Sequence, residues 1–229
     1  MNILALDTAG TGCSVALLAG TRIIERYEAA PRRHAASLLP MAEACLAEAG
    51  LALRELDAVA FGRGPGSFTG LRIATSVAQG IAFGAGLPVV PVSNLAAGAA
   101  AALRAHGWRQ VLVAFDARMD EVYAGAFAAG ADGLPRPLGP ESLATPDALA
   151  LPATGPSDGG GAWHGAGSAF EAWPALAARL GLAAVDGGLA PLARDLLGLA
   201  AADLGRGAAV AAEDALPVYL REQVAWRSD

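Results

Sequence analysis

Lysine is absent from this 229-residue chain, whose sixteen basic residues are all arginine. A Walker A loop, a Schiff-base enzyme and a lysine general base each need a lysine, so the absence disfavours three large classes of enzyme together. Charge is also scarce, since charged residues make up 17% of the chain and the net charge is −6. Proteins that bind nucleic acid unaided use clustered basic residues, so this acidic chain is not expected to do so.

Cysteine is limited to Cys13 and Cys45, and the amino terminus reaches Asp7 without a basic segment or an apolar run of signal length. The charge-free stretch 73–103 is interrupted by prolines, glycines and polar residues, which favours two helices around a buried strand over a membrane span. Hydrophobic residues make up 54% of the chain and can fill a sizeable core. We therefore expect a globular, cytoplasmic protein with no membrane contact.

The first 105 residues read as an α/β domain. The segments "NILALD", "CSVALLAG" and "RIIERYE" are separated by turn residues, as expected for three antiparallel strands. Helical periodicity follows over 35–49 and 69–83, with the apolar strand "LDAVAFG" between the two helices and "LPVVPV" after them. A third helix begins near Ser93 or Asn94, which can cap it. The predicted order is βββαβαβα.

The second half opens like the first. "ILALDTAGTGCSVALLAG" and "LVAFDARMDEVYAGAFAAG" each contain an apolar strand ending in aspartate (Asp7, Asp116), a polar turn, and a strand closing on glycine (Gly20, Gly130). Either an internal duplication or two ordinary hairpins explains this likeness. We predict domains at 1–105 and 106–229, leave the boundaries within 130–188 open, and expect the last helix to pack back on the first domain.

The stretch "GRGPGSFTGLR" resembles a phosphate-binding loop. It has no Walker A lysine, its glycines do not fit G-x-G-x-x-G, and its serine is misplaced for a G-x-S-x-G elbow. What remains is a turn followed by a helix that Ser67 or Thr69 can cap, whose free backbone N–H groups would face an anion. A tight strand-to-helix connection without a ligand explains the same residues.

The helices at 35–49 and 69–83 carry little charge for solvated surfaces. Glu43 and Glu48 are the only acidic or basic residues of the first, and Arg72 is the only one of the second. This predicts a docked protein partner. The alternatives are the alanine-rich composition and burial of both helix faces within a larger fold.

Two aspartates and three histidines are the remaining candidates for chemistry. Asp7 and Asp116 would hold a metal-bound phosphate if they faced each other, although a strand-end aspartate more commonly forms an Asx-turn. His34, His106 and His164 have no partner at a ligand-like spacing, so no metal site is predicted. No residue is predicted to be catalytic.

Five segments together resemble the TsaB (YeaZ-type) family of bacterial tRNA threonylcarbamoyladenosine (t6A) synthesis: "ILALDTAGTGCSVAL", "RRHAASLLPMAE", "GRGPGSFTGLRIATSVAQGIAFGAGLPVVPVSNLAA", "DARMDEVYAGAF" and "PVYLRE". The resemblance implies an actin-like (ASKHA) α/β fold of two ribonuclease H-like domains. It also implies a non-catalytic partner of TsaD, the subunit that transfers threonylcarbamoyl to N6 of adenosine 37 in tRNAs reading codons that start with A. Like the family, the chain lacks an H-x-x-x-H metal signature, because Leu38 stands four residues after His34.

The resemblance further implies a set of partners and sites. The partners are a TsaD-like catalytic subunit, a TsaE-like ATPase, tRNA only through the complex, and a second copy of the chain when it is alone. The docking residues are expected on the two helices: Leu38, Leu39, Met41, Ala42, Cys45, Leu46, Leu71, Arg72, Thr75, Ser76 and Gln79. No cofactor of its own is expected, but ATP or ADP at a shared interface would contact Asp7, Thr8, Gly66, Ser67 and Thr69.

One alternative function uses the same fold. A small ATPase or kinase would employ Asp7, Asp116 and the loop from Ser67 to Thr69. A peptidase is not indicated, because the sequence shows neither a nucleophile beside a base nor a metal site.

Overall fold

The computed structural model describes residues 1–10, 12–29, 34–153 and 161–221. Its regular elements, in chain order, are β1 (Asn2–Asp7), β2 (Cys13–Ala19), β3 (Arg22–Glu28), α1 (His34–Ala49), β4 (Ala58–Gly64), α2 (Phe68–Ala85), β5 (Val89–Ser93), α3 (Asn94–His106), β6 (Gln110–Arg118), β7 (Glu121–Ala129), β8 (Pro135–Pro137), β9 (Ser142–Ala144), β10 (His164–Ala166), α4 (Ala169–Ala172), α5 (Ala175–Arg179), β11 (Ala184–Asp186) and α6 (Ala193–Gly205). Within these residues no helix is long and apolar enough to cross a membrane.

The first sheet has the strand order β3-β2-β1-β4-β5. β1, β2 and β3 pair antiparallel, while β4 and β5 continue the sheet parallel to β1. Both faces are buried: Leu4 and Leu6 pack under α1 and α2, whereas Ile3 and Ala5 pack under α6 on the other face. Side chains alternate across a strand, so a continuous apolar run such as β1 fills two cores.

The second sheet repeats the opening of the first. β6 and β7 form an antiparallel hairpin, β10 and β11 extend the sheet parallel to β6, and β8 and β9 both pair with β7. α3 packs between the two sheets, with Leu95 and Ala99 against Val113 and Phe127 of the second. These two sheets confirm the predicted actin-like α/β class, and the βββαβαβα order of the first half is confirmed as well.

The start of α2 is fixed by close contact with the loop after β1. The Ser67 side chain accepts a hydrogen bond from the Gly70 backbone N–H and caps the helix. The Thr8 hydroxyl donates to the Gly70 carbonyl at 2.7 Å, and the Ser67 N–H donates to the Ala9 carbonyl at 2.8 Å. A Cβ atom at Gly70 would lie 1.9 Å from the Thr8 carbonyl oxygen, so only glycine permits this approach.

After α6 the chain returns to the first sheet along a segment, Val210–Arg221, that we call the C-terminal strap. Val210 exchanges two backbone hydrogen bonds with Val89 of β5, and Ala212 and Ala215 are buried in the core beneath α1 and α2. The Ala215 carbonyl accepts a hydrogen bond from the Gln79 side chain at 3.0 Å. The strap therefore lies against α2 as part of the same packed unit.

Two glycines of α2 should respond oppositely to alanine. Gly70→Ala places a methyl group against the Thr8 carbonyl and is expected to lower the free energy of unfolding by about 2 kcal/mol or more. Gly80→Ala meets nothing within 4 Å and should raise it by about 1 kcal/mol, because glycine is a poor helix former. Urea unfolding of both variants measures the difference, and equal stabilities would contradict the contact at Thr8.

Candidate functional site

α1 and α2 lie side by side on one face of the first sheet and expose apolar side chains to solvent. Phe83 is 81% exposed, Phe68 51% and Leu39 47%. Side chains of this size at such exposure commonly mark a docking site when they cluster. We call the exposed side of the two helices the α1/α2 face, defined by Leu39, Phe68, Arg72, Ser76, Gly80 and Phe83.

Small residues run along one side of α2. Ser76, Gly80 and Gly84 recur at intervals of four residues, which places them on one side of the helix. A Cβ atom added at Gly80 or Gly84 would meet nothing within 4 Å, so the helix backbone is open there. The distance between packed helices depends on the side chains at their contact, so a second helix can approach α2 closely at this point.

Six of the predicted docking residues are buried within the chain itself, so their side chains do not face solvent as the prediction assumed: Leu38, Ala42, Cys45, Leu46, Leu71 and Thr75. The apolar stripes that suggested a partner are the faces that cover the sheet. The Thr75 hydroxyl donates to the Leu71 carbonyl at 2.8 Å and does not face solvent. Periodicity identifies an apolar face, but it cannot tell whether the chain's own sheet or another protein covers it.

The other predicted docking residues divide between the surface and partly buried positions. Leu39, Arg72 and Ser76 are exposed and stay candidates. Met41 and Gln79 are half-buried, and each contacts its own chain: the Met41 sulfur lies 3.8 Å from the Cys13 sulfur, and Gln79 bonds to the strap. Three of the predicted docking positions are therefore accessible to a partner.

Sequence reasoning missed several exposed residues of this surface. Phe83 lies eleven residues after Arg72, a spacing that puts both on one side of a helix and was readable from the sequence. Phe68 follows the capping serine. Leu216 and Tyr219 of the strap, 63% and 41% exposed, had no comparable signal, because only tertiary folding brings the strap to α2.

Asp7, the predicted phosphate-loop acid, is buried at the carboxyl end of β1. The Asn94 amide donates a hydrogen bond to its Oδ1 at 2.6 Å, and the same amide accepts from the Gly64 N–H at 2.8 Å. Burial raises the pKa of Asp7 from 3.8 to about 6; hydrogen bonds from Asn94 and the Ala9 backbone oppose the rise, and the Asp195 carboxylate adds to it.

Both strand-end aspartates form local turns, as the alternative interpretation predicted. Asp7 accepts a hydrogen bond from the backbone of Ala9, two residues on. Asp116 accepts from the Arg118 N–H at 2.7 Å and from its guanidinium at 3.1 Å. β6 also continues two residues past Asp116 instead of ending there. Each carboxylate is thus engaged by its own chain.

Two of the predicted nucleotide contacts, Asp7 and Thr8, are buried side chains. Asp7 and Thr8 are 4% and 0% exposed, and the Thr8 hydroxyl is bonded to Gly70, so neither side chain reaches a ligand held by another subunit. Gly66 is half-buried against Ala9. Ser67 and Thr69 are exposed and stay candidates for such a contact.

The histidines do not gather into a metal site within the described residues, where no group of three or more His, Cys, Asp or Glu residues could hold an ion. His106 Nε2 lies 2.8 Å from an Asp186 carboxylate oxygen, and its ring stacks on Trp108, which stacks in turn on His164. The side chain of His34 and residues 31–33 before it lie outside the described part of the chain.

Comparison with known proteins gives a consistent result. The family model described as "TsaD: tRNA N6-adenosine threonylcarbamoyltransferase" matches residues 24–218. The tRNA threonylcarbamoyladenosine biosynthesis protein TsaB of Escherichia coli K12 is 41% identical over 228 residues, which cover 99% of this chain and 97% of that protein. The solved structure called YeaZ from Pseudomonas aeruginosa is 46% identical, covers 96% of this chain and 99% of that one, and superposes with a TM-score of 0.86.

A catalytic enzyme is also similar to part of the chain. The tRNA N6-adenosine threonylcarbamoyltransferase of Chromobacterium violaceum is 46% identical over 68 residues, which make up 30% of this chain and 20% of that protein. This pairwise match covers a minority of both proteins, whereas the match to the E. coli biosynthesis protein spans nearly the whole chain.

Removing the charge of Asp7 should change how stability depends on pH. The folded-state pKa, about 6, lies above the ordinary 3.8, so the folded chain binds this proton more tightly and gains stability as the pH falls through 6 towards 4. In Asp7→Asn this gain is absent, while an acceptor for Asn94 is kept. Relative to wild type, the variant should be more stable at pH 7.5 than at pH 4.5, by about 1 to 3 kcal/mol. Urea unfolding at the two pH values measures this, and a pH-independent difference between the proteins would contradict it.

Proposed function

The chain belongs to the TsaB family of tRNA threonylcarbamoyladenosine biosynthesis proteins, and on that premise we propose that it is a non-catalytic subunit that docks on a TsaD-like enzyme through the α1/α2 face. The TsaD-like subunit transfers threonylcarbamoyl to N6 of adenosine 37 in tRNA. This chain activates that subunit and helps to recruit a TsaE-like ATPase. The exposure of Phe83, Phe68 and Leu39 on adjoining helices carries the proposal.

The composition of the α1/α2 face suits a protein partner. Phe68 and Phe83 flank Ser76 and Gly80, an arrangement that provides apolar anchors at each end and room for a helix between them. Apart from His34 at the first position of α1, the acidic or basic residues of α1 and α2 are Glu43, Glu48 and Arg72, and Glu48 already pairs with Arg22 and Arg26 of β3. A fully solvated pair of helices would carry more charge.

The family model supports a TsaD-like subunit as the occupant. It is a model of the threonylcarbamoyltransferase, and it matches this chain across both helices of the face. A partner of the same fold would present the same pair of helices on the same side of its sheet. Two such surfaces pack face to face about a pseudo-twofold axis. The same geometry would allow two copies of this chain to pair when no enzyme is present.

The hydrogen bonds of Asp7, Thr8 and Asp116 support a non-catalytic role for this chain. Asp7 accepts hydrogen bonds from Asn94 and Ala9, Thr8 donates one to Gly70, and Asp116 accepts one from Arg118. Each of these side chains therefore stabilises the fold. ATP or ADP at a shared interface would meet the chain at Ser67 and Thr69, where the side chains are exposed. The tRNA would contact the chain only within the complex, since the chain is acidic overall.

Charges placed on the α1/α2 face should prevent docking. Phe83→Asp and Leu39→Glu each put a carboxylate where an apolar contact is proposed, and neither side chain supports the core. Co-elution with the TsaD-like subunit of the same organism in size-exclusion chromatography should be lost in both. Val185→Asp, an equivalent change at a side chain 40% exposed on β11, is the control and should co-elute normally. Intact complexes with both helix variants would refute the assignment.

Nucleotide turnover separates this proposal from a small ATPase or kinase. The chain alone, incubated with ATP and magnesium, is expected to release no phosphate above the level of a sample without protein. Turnover that disappears in Asp116→Asn would favour the alternative enzyme. Phosphate release in the reconstituted complex should instead require the TsaE-like subunit.

A further inference from the structure

We propose that the α1/α2 face binds a carboxylate of the partner protein at Arg72, and that the C-terminal strap holds the Arg72 guanidinium in place for it. The inference rests on the proposed function and specifies the chemistry of the docked surface. It follows from four observations: where Arg72 lies, what surrounds it, which of its nitrogens are engaged, and how the strap is fixed.

Arg72 stands alone as a charge on α2. It is exposed, and the sequence of the helix contains no other acidic or basic residue. Its guanidinium carbon lies 4.0 Å from the centre of the Phe68 ring, and its Nε donates to the Tyr219 hydroxyl at 3.3 Å. The cation is therefore held between two aromatic side chains, one from α2 and one from the strap.

Arg72 differs from most other arginines of the described residues, because none of the carboxylates described there is its counterion. Among the described residues no carboxylate lies within 4.0 Å of it, whereas nine arginines form such pairs: Arg22, Arg26, Arg63, Arg104, Arg118, Arg136, Arg194, Arg206 and Arg221. In an acidic protein that pairs its arginines so widely, an unpaired one in the middle of a docking surface is the position that a partner's negative charge would complete.

The guanidinium has one edge ready for a carboxylate. It is planar and carries five N–H donors; Phe68 covers one face, and Tyr219 takes the Nε–H. Neither Nη1 nor Nη2 bonds to another described residue. Two parallel N–H groups at one edge match the two oxygens of a carboxylate, which makes an end-on bidentate pair the expected contact.

The strap fixes the position of Tyr219 from both sides. The Val218 N–H donates to the Arg63 carbonyl at 2.7 Å, and the Arg221 guanidinium pairs with Glu121 at 2.6 Å and donates to the Ala117 carbonyl at 3.1 Å. The Tyr219 ring lies 5.3 Å from the Phe68 ring, centre to centre. An arginine held in its binding geometry before the partner arrives loses less entropy on docking, so Tyr219 is a positioning residue.

A protein carboxylate fits this site better than a nucleic-acid phosphate does. Binding along a phosphate backbone uses several cations in a row, and α2 offers one. The exposed phenylalanines would exclude water once a partner is docked, and a charge pair is stronger when it is screened less by water. A single carboxylate in an otherwise apolar partner surface satisfies both conditions.

The test measures docking to the TsaD-like subunit by calorimetry at 50 and 300 mM salt. Arg72→Gln removes the charge and is expected to weaken binding about tenfold at low salt, and to flatten its salt dependence. Tyr219→Phe keeps the ring on Phe68 but removes the acceptor for Nε; it should weaken binding about threefold and leave the salt dependence intact. Arg109→Gln makes the same change at an exposed arginine just before β6. It is the charge-matched control and should bind as wild type does.

The outcomes separate this inference from the function on which it rests. If Phe83→Asp prevents docking while Arg72→Gln retains wild-type affinity and salt dependence, the proposed carboxylate contact at Arg72 is overturned. The proposed docking surface is then supported. If Phe83→Asp has no effect, the docking surface itself is wrong. An effect of Arg72→Gln on tRNA binding by the assembled complex, without an effect on docking, would indicate a phosphate and also overturn the proposal. Thermal unfolding midpoints of the variants verify that each is folded.

Discussion

The contact between the start of α2 and the loop after β1 determines how the rest of the molecule presents its surface. The Gly70 carbonyl accepts from the Thr8 hydroxyl, and Ser67 bonds to the Ala9 carbonyl, so the helix is held to the sheet at its first turn. With that end fixed, Leu71 and Ala74 point into the core and Arg72 and Ser76 point out. The exposure of the α1/α2 face follows from this contact, because a helix held at one end cannot rotate to bury Phe83.

The same contact accounts for a glycine of the loop that resembles a phosphate-binding site. Glycines in such loops permit close approach of the backbone, and here the group that approaches is the chain's own Thr8 carbonyl. Asp7 beside it is buried, bonded to Asn94, and has its pKa raised to about 6. Asp7 bonds to Asn94 at the start of α3 and Thr8 bonds to Gly70 in the first turn of α2, so these polar groups join the first sheet to both helices.

Much of the fold was predictable because its signals are local. The helices predicted at 35–49 and 69–83 run over His34–Ala49 and Phe68–Ala85. They could be predicted because apolar periodicity and a capping serine depend on residues close together in the sequence. The docking residues were less predictable. Leu46 and Leu39 looked alike in the sequence, yet one is 7% and the other 47% exposed. The two leucines differ in exposure because the sheet and the strap cover the helices from one side only.

The sequence by itself determined the α/β class, the order of elements in the first half, the shortage of charge on two helices and the family to which the chain belongs. These follow from residue type and spacing, which act over a few positions of the chain. Tertiary structure alone decided which apolar residues face outward, and it brought Tyr219 to Arg72 across 147 positions. A contact between segments distant in sequence depends on how the elements between them pack, so no local sequence pattern predicts it.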